Sequence, residues 1–218
     1  ELLLDDSEAG VNAALERLQP SAVVVELPSN PLLRCVDLPT VARLAHQRGI
    51  PVIADDTIGS GININALPHS DLVFSSLTKS FAGRGDVLAG SLVLSHHSHW
   101  RDQLAASANV LQPLAQLAGN DAIALDRGSE DVDERVHKLN ANTLFLAERL
   151  RRHPAVANIF HPGECENFRT LQRAGGGHGC LLSFELRGGP QTAQRVYDAL
   201  QVCKGPSLGT AFTLVCPY

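Results

Sequence analysis

The sequence has no lysine- or arginine-rich run and no apolar stretch long enough to cross a membrane. Its 218 residues carry a formal net charge of −5 and the pI is near 6.0, so we expect no nucleic-acid or other polyanionic partner. The longest apolar stretches, 22–25 and 91–94, are far too short for a transmembrane helix. We expect no signal peptide either. The remaining composition, 44% hydrophobic and 19% charged, is that of an ordinary globular protein with a buried core.

The cysteines and histidines also lack the spacing of common metal sites. Five cysteines form no CxxC pair and nine histidines form no HExxH, which argues against a structural zinc site or a thioredoxin-like motif. We therefore expect free, mostly buried thiols in a reducing, cytoplasmic compartment. The histidine cluster His96, His97 and His99 lies in a turn after an apolar segment, where polar side chains are usually solvated. We expect no bound metal there.

The first half of the chain alternates between strand and helix patterns. A β-branched run at Ser21–Leu27 predicts a buried strand, and helical spacing of apolar residues follows at Pro39–Arg48. A second apolar run at Ile50–Ala54 completes a βαβ unit, which implies a parallel sheet covered by helices. Leu72–Ser75 predicts a third strand. Gly90–Leu94 predicts a fourth, and the link to it is too short for a helical crossover, which indicates an antiparallel neighbour.

The second half has a different organisation. One long amphipathic helix is predicted from Asp131 to Arg152. It is followed by a strand, a helix and a strand, at Leu181–Leu186, Gln191–Leu200 and Thr213–Cys216. We therefore predict an α/β domain over 1–130 and, over 131–218, the connecting helix with part of a small α+β domain. The chain opens with Glu1 rather than Met and breaks off in mid-pattern, so we expect further residues at both ends.

Polar side chains follow each of the three predicted parallel strands. In an open α/β sheet the carboxyl ends of the strands form the ligand-binding edge. The polar residues expected at that edge are Asn30 after the first strand, Asp55, Asp56 and Thr57 after the second, and Ser75, Ser76, Thr78 and Lys79 after the third. A carboxylate, hydroxyl groups and a lysine, gathered in this order along the chain at one edge, suit pyridoxal 5′-phosphate (PLP). Its aldehyde condenses with an amine, its ring nitrogen needs an acidic partner, and its phosphate needs donors.

Each of these residues also has a simpler interpretation. A lone lysine at a strand end is usually a surface side chain, an aspartate pair often caps the next turn, and Ser/Thr clusters often satisfy local backbone. A Mg²⁺-dependent phospho-acceptor or phosphatase site is a functional alternative. It would require acidic residues on the first strand, which here ends in Glu26-Leu27-Pro28 instead. The joint arrangement favours PLP.

Four motifs resemble one family. Glu26–Arg34, Ala54–Thr57, Ser75–Phe81 and Lys204–Gly209 are similar, in order, to the Cys/Met-metabolism PLP-dependent enzymes, the cystathionine γ-synthase and lyase family. Asp-Asp-Thr-Ile-Gly59 and the closing Cys-Pro-Tyr218 resemble its fungal branch. The resemblance implies the aspartate-aminotransferase-like fold (PLP fold type I), with a large, mostly parallel α/β domain and a small C-terminal domain.

The resemblance also implies roles for individual residues. Lys79 matches the lysine that binds PLP, and Asp55 the aspartate that pairs with the ring nitrogen. The predicted cofactor contacts are completed by Ser76, Thr78, Thr57 and Asn30, and the substrate contacts are Ser207 and Glu26. The implied reaction is γ-replacement on an O-acyl-homoserine by cysteine, in a homodimer or homotetramer. Elimination by a lyase, and a truncated inactive copy, remain alternatives. The family's upstream stacking aromatic and downstream carboxylate-binding arginine lie outside this chain.

Overall fold

The computed structural model describes residues 7–112 and 116–218. Its strands are β1 Val23–Glu26, β2 Val52–Asp55, β3 Leu72–Ser76, β4 Gly90–Leu94, β5 Val156–Phe160, β6 Ser183–Leu186, β7 Cys203–Lys204 and β8 Leu214–Val215. Its helices are α1 Glu8–Leu18, α2 Leu38–His46, α3 Arg101–Leu111, α4 Gly119–Ser129, α5 Val132–Arg151, α6 Glu166–Thr170 and α7 Gly189–Ala199. Within these described residues, no helix is both long and apolar enough to cross a membrane.

The main sheet has the strand order β1-β2-β3-β4. β1, β2 and β3 are parallel, and β4 runs antiparallel to β3. This arrangement confirms the predicted βαβ unit and the predicted direction of the fourth strand. Because the parallel strands pair Glu26 with Asp55 and Asp55 with Phe74, their carboxyl ends meet at one edge.

Helix α2 supplies much of the apolar cover on one side of this sheet. Asp37 caps its first turn by accepting a hydrogen bond from the Thr40 N–H (3.2 Å), and Pro39 occupies a position where no N–H partner is needed. Its buried face carries Leu38, Val41 and Leu44. Burying each of these side chains contributes about 1.5–3 kcal/mol, so the helix is held mainly by its contact with the core.

The predicted long helix is present as α5. Of the predicted tail elements, the two strands are present in shorter form as β6 and β8, and the helix is present as α7, which begins two residues earlier than predicted. The sequence patterns did not predict α1, α6, β5 or β7, nor the two helices α3 and α4. Of the two, α3 has no fully buried residue and α4 buries only Gly128, so neither carries a strong apolar period. The division into domains at 130 and 131 stays a prediction.

A pair of buried asparagines joins α5 to the segment that follows β2. Asn140 Nδ2 donates to Asn63 Oδ1 (2.7 Å), and Asn63 Nδ2 donates to the Gly59 carbonyl (2.9 Å). The glycine-rich turn 175–179 packs against both asparagines. A Cβ on Gly176 would lie 2.3 Å from the Asn63 backbone carbonyl oxygen, and a Cβ on Gly177 would lie 2.4 Å from the Asn140 side-chain amide. The turn therefore needs glycine for close approach as well as for turn geometry.

Candidate functional site

Three strands deliver polar side chains to the carboxyl edge of the sheet. β1 ends at Glu26, β2 at Asp55 and β3 at Ser76, and each is parallel to the next. Glu26 is the register partner of Asp55, and its side chain is exposed. Topology thus brings together residues that are about fifty positions apart in the sequence.

Thr57 links two of these strand ends. Its backbone N–H donates to Asp55 Oδ1 (2.8 Å), and its hydroxyl oxygen accepts a hydrogen bond from the Ser76 N–H (2.8 Å). Asp55 is thereby held in one orientation next to the end of β3. In the described part of the chain, the second Asp55 carboxylate oxygen has no hydrogen-bond partner. It is available to a group outside the protein.

Asp56 has the opposite orientation to its neighbour. It is only 6% exposed, and its carboxylate accepts a hydrogen bond from the Ser75 hydroxyl. Burial raises the pKa of Asp56, and the nearby Asp55 charge raises it further, while the Ser75 hydrogen bond acts in the other direction. The two carboxylates therefore do not present a joint pair of oxygens to a cation. Across residues 7–112 and 116–218, no group of three acidic, histidine or cysteine side chains could hold a metal.

The side chain of Lys79 contacts the C-terminal motif, Lys204–Gly209. Its Nζ lies 3.4 Å from Ser207 Oγ, although the two residues are 128 positions apart. The contact follows from tight packing of the Lys204–Gly209 motif on the lysine loop, the segment after β3 that contains Lys79. Gly209 has a φ of +75°, and a Cβ there would lie 2.4 Å from the Ser80 nitrogen. The Ala211 N–H also donates to the Gly83 carbonyl (2.7 Å), which fastens the motif on the far side of the lysine.

The other predicted residues have local partners. The Thr78 hydroxyl accepts a hydrogen bond from the Ala89 N–H (3.1 Å) and donates to the Ala89 carbonyl (3.4 Å). Asn30 is exposed, and its Nδ2 donates to the Tyr218 hydroxyl (3.0 Å). Among the described residues, no hydrogen bond joins Asn30 to Asp55 or Lys79. The structure therefore brings Asp55, Thr57 and Ser76 into one network and Lys79 and Ser207 into another contact.

Arg135 is a residue of this region that the sequence patterns did not indicate. Its side chain is 9% exposed, and its guanidinium donates to the carbonyls of Phe81 and Gly128, each at 2.6 Å. It also donates to the Ser80 carbonyl (3.3 Å) and forms an ion pair with Asp131. Arg135 thus holds the turn that follows Lys79. The Asp131–Arg135 spacing was the one visible signal, but it indicates only a common pair along a helix.

Sequence comparison places the whole chain in one family. The profile of the Cys/Met metabolism PLP-dependent enzymes matches residues 3–217. The chain is 36% identical over 219 residues to cystathionine gamma-synthase of Neurospora crassa, covering 99% of this chain and 34% of that protein. It is 37% identical over 212 residues to cystathionine gamma-synthase of Saccharomyces cerevisiae, covering 90% and 32%. The chain thus spans about a third of the length of these relatives.

Solved structures of enzymes in this family match the fold of this chain. A cystathionine gamma synthase from Xanthomonas oryzae pv. oryzae, in complex with aminoacrylate and cysteine, matches with a TM-score of 0.83 and 30% identity, over 95% of this chain and 54% of that one. A cystathionine gamma lyase from Micromonospora echinospora matches with a TM-score of 0.85 and 33% identity, over 96% and 55%. The predicted α/β fold of PLP-dependent enzymes is confirmed. The chain therefore belongs to the family of Cys/Met metabolism PLP-dependent enzymes.

Proposed function

We propose that the protein containing this chain catalyses γ-replacement on an O-acyl-homoserine with cysteine, giving cystathionine. The observation that carries the proposal is the contact between the Lys79 amine and the Ser207 hydroxyl, at a sheet edge where Asp55 keeps one carboxylate oxygen free of protein partners. Relatives of this chain over most of its length are named cystathionine gamma-synthase. In the reaction the bond between Cγ and the acyl oxygen breaks, and a bond between Cγ and the cysteine sulfur forms.

The side chains at this edge fit PLP. Lys79 is half-buried, and its amine contacts the Ser207 hydroxyl. In the described part of the chain this amine forms no ion pair with a carboxylate. Asp55 offers an oriented carboxylate for the ring nitrogen, and the Ser76 hydroxyl is a donor for the phosphate. The Thr78 hydroxyl would become a second donor by giving up its 3.4 Å hydrogen bond to the Ala89 carbonyl. When bound, PLP supplies an aldehyde that captures amines and a protonated ring that accepts electrons.

The residues of this chain would divide the remaining work. Lys79 would hold the cofactor and, once the substrate amine has displaced it, remove the proton from the substrate α-carbon. Ser207, next to that amine, would donate a hydrogen bond to the substrate carboxylate. Thr57 would keep Asp55 in place through the hydrogen bond that it already makes. Asn30 would donate to the oxygen on the ring, and Glu26 would contact the substrate from the adjacent strand end.

Elimination by a lyase is the second candidate. The structure of the Micromonospora echinospora cystathionine gamma lyase has a TM-score of 0.85, similar to the 0.83 of the synthase. Both reactions need the same lysine, aspartate and serine. The fate of the substrate after the γ-substituent leaves, addition of a thiol or release as an oxo acid with ammonia, separates them.

The remaining features belong to the complete protein. We infer a homodimer or homotetramer in the cytoplasm, with the 1–130 segment in a PLP-binding domain and 131–218 leading into a smaller one. This chain spans about a third of the length of these relatives, so we assign the proposed turnover to the complete protein. An inactive copy would keep the fold and lose turnover even at full length.

The first experiment tests the cofactor site in the chain itself. PLP is added to the purified chain, and a visible spectrum, borohydride reduction and peptide mass mapping follow. A phosphopyridoxyl group on Lys79, and none on the exposed Lys138 of α5, supports the proposal. A folded chain that is labelled equally at both lysines contradicts it.

The second experiment tests the reaction. The full-length protein, loaded with PLP, is given O-acyl-homoserine with and without cysteine. Cystathionine formed only when cysteine is present supports γ-replacement. An oxo acid and ammonia from cystathionine would select elimination, and cofactor binding without consumption of either substrate would select the inactive copy.

A further inference from the structure

Two of the five cysteines lie in contact although they are 130 positions apart. Cys35 follows the loop after β1 and is 2% exposed, while Cys165 is half-buried and immediately precedes α6. The Cys35 N–H donates to the Cys165 sulfur (3.2 Å), and the Cys165 sulfur lies 3.9 Å from the Cys35 carbonyl oxygen. The Asn167 amide also donates to that carbonyl (3.0 Å), so both sides of the contact are held.

The two thiols have unequal surroundings. A side-chain hydrogen bond with Cys35, together with backbone hydrogen bonds from Cys35, Phe168 and Asn167, lowers the pKa of Cys165 to about 5, against the opposing effect of burial. The same hydrogen bond and burial raise the pKa of Cys35. Arg34, Glu164, Glu166 and Arg169 flank the pair in sequence, but these hydrogen bonds account for the direction at Cys165. Cys165 is therefore the more acidic sulfur of the pair and Cys35 the less acidic one.

We propose that Cys35 and Cys165 are an oxidation site that forms an intramolecular disulfide with a hydroperoxide, Cys165 being the attacking sulfur and Cys35 the resolving one. The disulfide would join the loop after β1 to the start of α6. The inference is independent of the cofactor site, because it uses none of the residues assigned to PLP.

The chemistry balances in two steps. The Cys165 thiolate attacks one peroxide oxygen, the O–O bond breaks, and the leaving oxygen is protonated to water or an alcohol, which leaves a sulfenic acid on Cys165. The Cys35 sulfur then attacks the Cys165 sulfur, the S–O bond breaks, and the departing hydroxide takes the Cys35 proton and leaves as water. The two sulfurs lose two electrons in total, and the peroxide gains them.

The other cysteines lack this arrangement. Cys203 is exposed on β7, and Cys180 is a thiol whose pKa is raised by burial. In the described part of the chain, Cys35 and Cys165 are the one pair of cysteines joined by a hydrogen bond. Contact therefore singles out these two sulfurs, since a sulfenic acid without a neighbouring thiol has no intramolecular partner.

The first test needs no variant. Iodoacetamide is reacted with the reduced chain between pH 6 and 8, and the alkylation of each cysteine is followed by peptide mass spectrometry. We expect the Cys165 rate to change less than about twofold, because its thiolate is already formed across this range, whereas an ordinary thiol gains about tenfold per pH unit. The chain unfolded in urea is the control, and there Cys165 should regain the ordinary dependence. A steep Cys165 profile in the folded chain overturns the inference.

The second test adds hydrogen peroxide to the reduced chain and maps peptides without reduction. A linked peptide containing Cys35 and Cys165 is expected, and Cys35→Ser should stop the reaction at a sulfenic acid on Cys165 that dimedone traps. Cys165→Ser should remove the link, whereas Cys203→Ser, at an exposed cysteine, should leave it unchanged. Links that involve Cys203 instead, or no link in a chain that circular dichroism shows to be folded, would contradict the proposal.

Discussion

The two edges of the main sheet use aspartate in opposite ways. At the amino edge, Asp71 is 2% exposed and accepts hydrogen bonds from the Val52 N–H (2.7 Å) and the Ser98 hydroxyl (2.7 Å). His46 Nε2 lies 2.9 Å from the same carboxylate. At the carboxyl edge, the Asp55 carboxylate accepts one hydrogen bond from the described residues, from the Thr57 N–H (2.8 Å), and the residue lies partly in solvent.

The difference separates an acid that stabilises the fold from one that can serve a ligand. Asp71 is saturated with donors, so its charge joins β2, α2 and the segment after β4. One carboxylate oxygen of Asp55 accepts no hydrogen bond from the described residues. Its neighbour Asp56 is buried, and this burial raises the pKa of Asp56. Groups that are unsatisfied or unfavourably buried gather at functional sites, where the rest of the structure compensates for them.

The largest expected effect is at the carboxyl edge. Lys79→Ala should abolish the borohydride-stable phosphopyridoxyl group on this loop, because it removes the amine that lies next to Ser207. Lys138→Ala, at an exposed position on α5, should keep the wild-type yield. Peptide mass mapping after reduction measures both. A retained yellow, reducible adduct in Lys79→Ala would remove the lysine from its proposed role.

At the amino edge the effect should be on stability alone. Asp71→Ala should lower the free energy of unfolding by about 3 kcal/mol, because it leaves the buried Val52 N–H and the half-buried Ser98 hydroxyl without this acceptor. Asp55→Ala, which frees one partly exposed N–H, should lower it by less than about 1 kcal/mol. Urea unfolding followed by circular dichroism compares the two. Equal losses would break the distinction between the edges.

Arg135 stabilises the lysine loop by donating hydrogen bonds to the carbonyls of Ser80 and Phe81. Arg135→Ala removes the donor for three carbonyls near Lys79, so we expect a loss of about 2 kcal/mol in unfolding free energy and a lower PLP labelling yield. Arg135→Lys should recover part of both, since an ammonium can still donate to one or two carbonyls. Arg151→Ala, which removes an exposed ion pair with Glu164, is the control and should change stability by less than about 1 kcal/mol. Unchanged labelling in a destabilised Arg135→Ala chain would limit Arg135 to a structural role.

The smallest expected effect is a gain in stability rather than a loss. Because burial raises the pKa of Asp56, the native chain holds that proton more tightly than the unfolded chain. The stability that this provides is complete below the unfolded value of 3.8 and is lost as the pH rises through the native pKa. Asp56→Asn should therefore stabilise the chain at pH 7 by about 1 kcal/mol, and this gain should disappear near pH 4. Urea unfolding at both pH values measures it, and a variant less stable at pH 7 would show that the charge is compensated.

Strands β1 to β4 and the residues at their ends could be predicted because the signals are local. β1, β2 and the antiparallel β4 follow from apolar runs and link lengths, and Asp55 and Lys79 follow from their positions just after strands. Helices α3 and α4 could not be predicted in this way, since they bury almost nothing. The carbonyl contacts of Arg135 were not predictable either, because backbone acceptors leave no trace in residue identity.

The sequence by itself determined the βαβ unit, the antiparallel fourth strand, the ligand-binding edge and the family, because these depend on periodicity and on motifs read along the chain. Tertiary structure alone decided which side chains meet across large separations. It put Ser207 next to Lys79, turned Asp56 inward while Asp55 stayed open, and brought Cys165 to Cys35. Local pattern specifies the type and order of elements, but contacts between distant residues depend on how those elements pack, and packing is a property of the whole chain.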